Sequence, residues 1–418
     1  MKLKHPTILA FLVSGLLFGA FVLIPASWLQ PNWSHQKLLK QQVANSDNVI
    51  KGSAIQHAML KDKNFYPVYG SSELRKDDPY QPVILLKGKK PDLFYVGTGG
   101  QTDLLQAIAL GAQYDQLKNK KMTIIISPQW FTRKGMLENN YLGRVSKVQI
   151  NRYFDNPNIP NHLKQRLAQR LLHFKTNKHD DFLKQVAKTG EVKGHYLNPF
   201  YANHLEKMEI LKSYIPMSVE TDKLTKLLDK SKPNTKSYAQ LDKEAEKYGK
   251  SRSSTNPYRI KDEYWKLIKQ NKRPISRQHE FHMNSPEFKD LALLVDLMKA
   301  GNADVQYVVL PVNGKWYDSI HVDRERRQKV DEKIVKTISS HGGNVHDMTD
   351  QDYKPYVMSD AVHIGWRGLV ELTEKIGSLS TSVGEDITYY VTLCCCLVRF
   401  LCSLTNILEI IKILFLKL

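Results

Sequence analysis

Apolar positions along the chain change rhythm several times, and each rhythm predicts a different element. After Lys2 and Lys4 an uncharged stretch runs from Pro6 to Ser34, with its apolar centre at Ile8–Leu29. That is about the 20 residues a helix needs to cross the hydrocarbon of a bilayer. Residues 30–55 are polar and read as a stalk. Phe65 to Val68 reads as extended. Two short apolar runs then read as buried strands: Val83–Leu86, ended by Lys87-Gly88, and Leu93–Val96, ended by Gly97-Thr98-Gly99-Gly100. From Thr102, placed to cap it, Leu104, Leu105, Ile108, Leu110 and Leu117 fall on a helical stripe. Met122–Ile126 returns to a β-branched run. Strand, helix, strand in this order argues for a parallel sheet covered on both faces.

Residues 132–280 differ: rich in Lys, His, Asn and Tyr, they offer few β-branched runs and several weakly amphipathic stretches, such as Leu163–Phe174 and Thr221–Leu228. They predict a helical insertion over one end of the sheet, either a solvated decoration or a polyanion-binding lid. Strand and helix patterns resume at Ser285-Pro286-Glu287, a good helix start, with Gly301 closing that helix. Val305–Leu310 predicts a strand, Arg324–Ser340 a helix, Gly343–Met348 a shorter strand, and Trp366–Ile376 a last helix. The tail after Ser378 is highly apolar from Tyr389 to Leu416, interrupted by Arg399, Glu409 and Lys412. A second, imperfect membrane helix and a frame-shifted end both fit it.

Composition sharpens this picture in three ways. With 418 residues, 42% hydrophobic and 25% charged, the chain is globular rather than disordered. Its 61 Lys and Arg against 42 Asp and Glu give a net charge of +19, an attraction to polyanions. Zinc-knuckle spacing, aromatic RNA-binding signatures and basic heptad helices are all missing, so anionic lipid or a phosphate polymer suits that charge better than nucleic acid. All four cysteines (Cys394, Cys395, Cys396, Cys402) lie in the tail, and a body without thiols suits an exported protein. The basic N-terminus, with Trp28 and Trp33 at interfacial positions, predicts an uncleaved anchor, N-terminus inside. A cleaved signal peptide is the alternative.

Candidate chemistry sits near the two ends of the predicted body. In Gly70-Ser71-Ser72 a glycine two residues before a serine would let the backbone turn tightly and expose a hydroxyl at a strand end. Alone it is ordinary turn material. Asp360 and His363, three apart before the last helix, allow a carboxylate to orient one ring nitrogen while the other faces a distant serine. A hydroxyl nucleophile requires such a base and such an orienting group.

Together these strings have the order of SGNH/GDSL-like hydrolases and acyltransferases. GSSEL, VGTGGQTDLLQ, ISPQWF, VVLPVNGKWY and SDAVHIGW make the chain resemble the D-alanyl transfer protein (DltD) family of Gram-positive bacteria, from the N-terminal anchor to about residue 377. The resemblance implies an α/β fold: an SGNH-like three-layer parallel sheet (56–131 and 281–377) flanked by helices, with an N-terminal transmembrane helix at 7–29. It implies D-alanylation of lipoteichoic acid by a cell-membrane, single-pass protein with an extracytoplasmic domain. Ser72 aligns with the nucleophile, Ser71 being the adjacent runner-up, and Asp360 and His363 align with the dyad. The implied partners are the polyglycerol-phosphate chain and, as acyl donor, a D-alanyl carrier protein or a membrane O-acyltransferase; no cofactor and no metal are implied. Transfer, hydrolysis as an esterase or thioesterase, and a non-catalytic adaptor all remain open. The Gly-x-Asn-Asp context that the third SGNH block normally offers is missing. Gln129 is the nearest side-chain amide able to serve an oxyanion, with the backbone N–H groups of Ser72 and Gly99 or Gly100 as other donors. His179 with Asp181, His279 with His282, and His321 with Asp323 lack partners at zinc-ligand spacing.

Overall fold

A computed structural model of the protein describes residues 6–214, 223–271 and 275–378. Its centre is one sheet of five strands: β1 (Phe65–Gly70), β2 (Asp92–Gly97), β3 (Lys121–Ile126), β4 (Asp304–Val309) and β5 (Asn344–Asp347). They are ordered β2-β1-β3-β4-β5, with every neighbouring pair parallel. Side chains alternate across it. Ile124 and Ile126 enter one core and Ile125 the other, while Phe94 and Val96 oppose Leu93 and Tyr95. Burial on both faces is why these strands read as continuous apolar runs.

Among the described helices are α1 (Pro6–Leu23), α2 (Asp103–Gly111), α3 (Glu138–Arg144), α4 (Asn161–Leu171), α5 (Pro199–Tyr214), α6 (Glu287–Ala300), α7 (Arg324–Ser340) and α8 (366–378). Leu104 and Ile108 of α2, Leu291 and Leu294 of α6, and Ile334 of α7 fill one core. Leu369, Leu372 and Ile376 of α8 fill the other. The result is a three-layer α/β body. Its strands and the 324–340 helix fall where the hydrophobic pattern put them.

Several expectations are corrected. Val83–Leu86 is not a strand: Pro82–Leu85 forms a helical turn with Pro82 in its first turn, and all four apolar side chains are buried. A four-residue apolar run fits either element, and the proline decides it. Thr102 stands before α2 without capping it; the N–H of Asp103 instead donates to Glu287 Oε1 at 2.9 Å. Residues 30–55 are not a free stalk, because Leu38, Val49 and Ile50 are buried in the main core. Their polar composition hid a few well-spaced apolar anchors. The described part of 132–280 is mostly helical, but its first half is more than a decoration: Tyr153, Leu163, Leu167 and Leu171 share the core of the sheet.

Helix α1 has 18 residues, about 27 Å at 1.5 Å per residue, against about 30 Å of hydrocarbon. It ends before Pro25, whose ring disfavours helix at Ile24, and a short turn at Ala26–Leu29 follows. Among the described residues no helix is long and apolar enough to cross a membrane. Thr221 and the tail beyond Ser378 lie outside the described residues.

Candidate active site

The strand order creates the site. From β1 the chain passes to β2 on one side and then to β3 on the other, so the loops after these strands diverge. Open parallel sheets place their ligand crevice at such a switch point, outside the carboxyl ends of the strands. Ser72 stands there, two residues beyond β1.

Local packing holds the serine corner. Gly70 does not take the left-handed conformation that would explain it as a turn residue. What it supplies is room: a Cβ at Gly70 would lie 2.3 Å from Glu73 Oε1, and one at Gly97 would lie 2.9 Å from the Gly70 carbonyl. The Glu73 carboxylate folds back into that space and accepts the N–H of Ser71. Burial pushes the Glu73 carboxyl up, partly offset by that N–H. Ser71 is turned inward, its hydroxyl donating to the Thr98 carbonyl at 3.3 Å. Ser72 faces the other way.

Three groups from distant parts of the chain meet at this corner. Ser72 Oγ lies 2.7 Å from His363 Nε2, and His363 Nδ1 lies 2.7 Å from Asp360 Oδ2. Asp360 Oδ1 accepts the N–H groups of Val362 (2.9 Å) and His363 (2.8 Å), and Lys76 Nζ donates to Oδ2 at 3.4 Å. Burial would raise the Asp360 carboxyl. The His363 ring, the Lys76 ammonium and the Val362 N–H outweigh it and hold Asp360 well below the usual carboxylate range. With Asp360 ionised, Nδ1 carries the ring proton and donates it, leaving Nε2 to accept from the Ser72 hydroxyl.

The loop carrying the dyad is tied from three sides. Ser359 N–H donates to the His363 carbonyl (2.9 Å), Lys261 N–H to the Ser359 carbonyl (2.8 Å), and Asn313 N–H to the Ala361 carbonyl (3.0 Å). Asp78 joins the two halves by accepting the N–H groups of Tyr80 (2.9 Å) and Trp366.

Beside the hydroxyl lies the glycine loop after β2. A Cβ at Gly99 would come 3.7 Å from the Ser72 Cβ, and Gly100 takes φ +80° with the Arg144 guanidinium packed where its side chain would be. Among the described residues no acceptor takes up the backbone N–H of Ser72, Gly99 or Gly100. Gln129 occupies the turn after β3 at the same sheet edge; it is 5% exposed, and among the described residues its side-chain amide has no protein partner. The arrangement offers a hydroxyl, a base, an orienting carboxylate and unpaired N–H donors within one crevice. Glu73, Lys76 and Arg144 had not been singled out from the pattern. Only Lys76 carried a signal, a cation four residues past the serine. The other histidine clusters do not assemble, and among the described residues no group of three His, Cys, Asp or Glu could hold a metal ion.

Comparison with known proteins gives a consistent result. The family model described as DltD protein matches residues 42–379. A protein named Protein DltD from Staphylococcus aureus (strain NCTC 8325 / PS 47) is 46% identical over 382 residues, covering 90% of this chain and 96% of that protein. Protein DltD of Bacillus subtilis (strain 168) is 31% identical over 384 residues, 89% and 95% of the two chains. Protein DltD of Lacticaseibacillus rhamnosus is 26% identical over 393 residues, 90% and 92%.

Proposed function

The chain belongs to the DltD family, and on that premise we propose that it is a membrane-anchored serine acyl-transfer protein that moves D-alanyl groups onto polyglycerol phosphate. The observation that carries this reading is the relay of two 2.7 Å contacts from Ser72 through His363 to Asp360.

In the first half-reaction His363 Nε2 takes the Ser72 proton as Oγ bonds to the acyl carbon of a D-alanyl thioester or ester. The carbonyl oxygen becomes an oxyanion, held by the backbone N–H of Ser72 and of Gly99 or Gly100, with Gln129 as a further donor. Collapse breaks the bond to the donor, whose sulfur or oxygen leaves with the proton from His363. A D-alanyl ester on Ser72 remains. In the second half-reaction a glycerol hydroxyl gives its proton to His363 and attacks that ester, and Ser72 leaves and is reprotonated. Asp360 stays ionised throughout, holding the ring in one tautomer and stabilising the imidazolium. Water in place of the glycerol hydroxyl would make the same site an esterase or thioesterase.

The donor would be a D-alanyl carrier protein or a membrane O-acyltransferase of the same pathway. Anchoring rests on the exposed apolar surface of α1, where Phe11, Leu16 and Phe18 stand free, and on the basic residues before it. Its shortfall of about two residues, or half a turn, is one that local bilayer thinning absorbs.

A fluorophosphonate probe should label the wild-type protein and not Ser72→Ala. Ser72→Ala should lower D-alanine incorporation into polyglycerol phosphate by about 10⁴–10⁶, whereas Ser71→Ala should stay within about tenfold, its hydroxyl making only a local hydrogen bond. Undiminished incorporation by Ser72→Ala would leave a non-catalytic adaptor as the answer.

A further inference from the structure

A cleft of about 350 Å³ lies between α5 and the turn after α3, outside the catalytic crevice. Val148, Leu205 and Met208 line it together with Lys51, Lys147 and Lys212. Its acids are already engaged. Asp47 pairs with Lys51 at 3.3 Å, and Glu209 accepts the N–H groups of Ser53 and, at 2.7 Å, Ala54. Lys147 and Lys212 are exposed, and among the described residues no carboxylate pairs with either of them or with Arg144. An amphipathic cleft with unpaired cations fits an amphipathic polyanion.

Its two walls lead to different places. At one end Arg144, next to the lining residue Val145, donates from Nε to the Gly99 carbonyl and lies over Gly100, beside Ser72. At the other end α5 grips the end of α1. The Lys207 ammonium, buried to 1% exposure, donates to the carbonyls of Phe21 and Val22 (2.9 Å). The Asn203 side chain holds the N–H of Ala26 at 2.7 Å and the carbonyl of Ile24 at 3.1 Å. Trp28, Phe200, Tyr201 and Tyr214 stay exposed around this junction, the side chains a membrane interface accommodates. The cleft therefore lies between the apolar helix and the serine.

We infer that this cleft binds the phosphodiester backbone of an acceptor polymer tethered in the same membrane, guiding it past Lys212, Lys147 and Arg144 to Ser72. The inference rests on the acyl-transfer reading for the identity of the polymer. Two lysines and an arginine make a weak site for a free phosphate, but a tethered chain meets them at high effective concentration. The Arg144 guanidinium, already oriented by Gly99, suits a phosphate oxygen pair near the reacting hydroxyl. Glycerol units would then reach the serine in succession.

The test measures binding apart from catalysis. Full-length protein in nanodiscs would be titrated into fluorescent soluble polyglycerol phosphate, and labelled in parallel with fluorophosphonate. The Lys147→Glu/Lys212→Glu double variant should raise Kd about 10-fold and lower the slope of log Kd against log salt by about 1.4, at about 0.7 per contact. Lys184→Glu/Lys188→Glu, on the exposed face of the Asp181–Thr189 helix away from the cleft, is the charge-matched control. An unchanged Kd in the double variant overturns the cleft, even if Ser72 is labelled. Weakened binding without Ser72 labelling supports the cleft and overturns the catalytic reading instead. If the double variant loses binding to phosphatidylglycerol vesicles but keeps the soluble polymer, the cleft takes lipid headgroups and the polymer assignment fails.

Discussion

The serine corner and the aspartate–histidine loop face each other across 2.7 Å, yet they are held by different forces. The corner is a problem of space. Gly70 and Gly97 let two strand ends close on a buried carboxylate, and an added Cβ at either would force its neighbours to shift. The loop is a problem of polar contacts. It has little core of its own and keeps its shape through backbone hydrogen bonds and the ionised Asp360. Steric fixation tolerates changes of charge but not of volume, and polar fixation the reverse. A nucleophile needs one position, whereas a base needs one position and one protonation pattern.

That contrast sets the order of effects. Asp360→Asn is nearly isosteric, so the loop should keep its shape while kcat falls about 10⁴-fold through loss of the correct tautomer. It should also remove stability. A carboxyl held below its ordinary range stabilises the fold above the unfolded value and loses that contribution only as pH falls through the folded one. Denaturant melts at neutral pH should therefore show Asp360→Asn to be the weaker protein. Gly70→Ala leaves every charge in place but drives a methyl onto Glu73. We expect about 1–3 kcal/mol of destabilisation and about 10²-fold slower fluorophosphonate labelling from a displaced hydroxyl. Equal labelling rates would mean that the corner relaxes and the contrast is false.

Asp78, which spans the two regions, makes the last test, one of stability alone. Burial pushes its carboxyl up to about 6, against the pull of the Tyr80 and Trp366 N–H groups and Lys261. Its raised value means that it opposes folding when charged. Through this group the native state gains stability as pH falls from 7 toward 4, because it binds a proton that the unfolded chain does not. Asp78→Asn should thus stabilise the protein at pH 7 by at most about 3 kcal/mol, from about two units at 1.36 kcal/mol each. The advantage should vanish near pH 4. Urea titrations at both values check the sign.

Much of this was legible in the one-dimensional pattern. Continuous β-branched runs announced buried parallel strands, the 324–340 stripe announced its helix, Asp360 and His363 stood out by residue type and spacing, and the family resemblance pointed to Ser72. These features are encoded within a few residues, where side-chain period and turn chemistry act. The helical turn at Pro82–Leu85, the buried anchors among residues 30–55, and the use of Gly70 for space were not legible so locally. Each depends on what packs against the segment. Which of Ser71 and Ser72 faces His363 is of the same kind, because it turns on a carboxylate two residues past Ser71 and a carbonyl in the loop after the neighbouring strand. The meeting of Ser72 with His363 itself spans 291 positions. A chain can specify two motifs that far apart, but only the order of strands in the folded sheet brings them to one edge, since hydrogen bonding and burial act through space and not along the sequence.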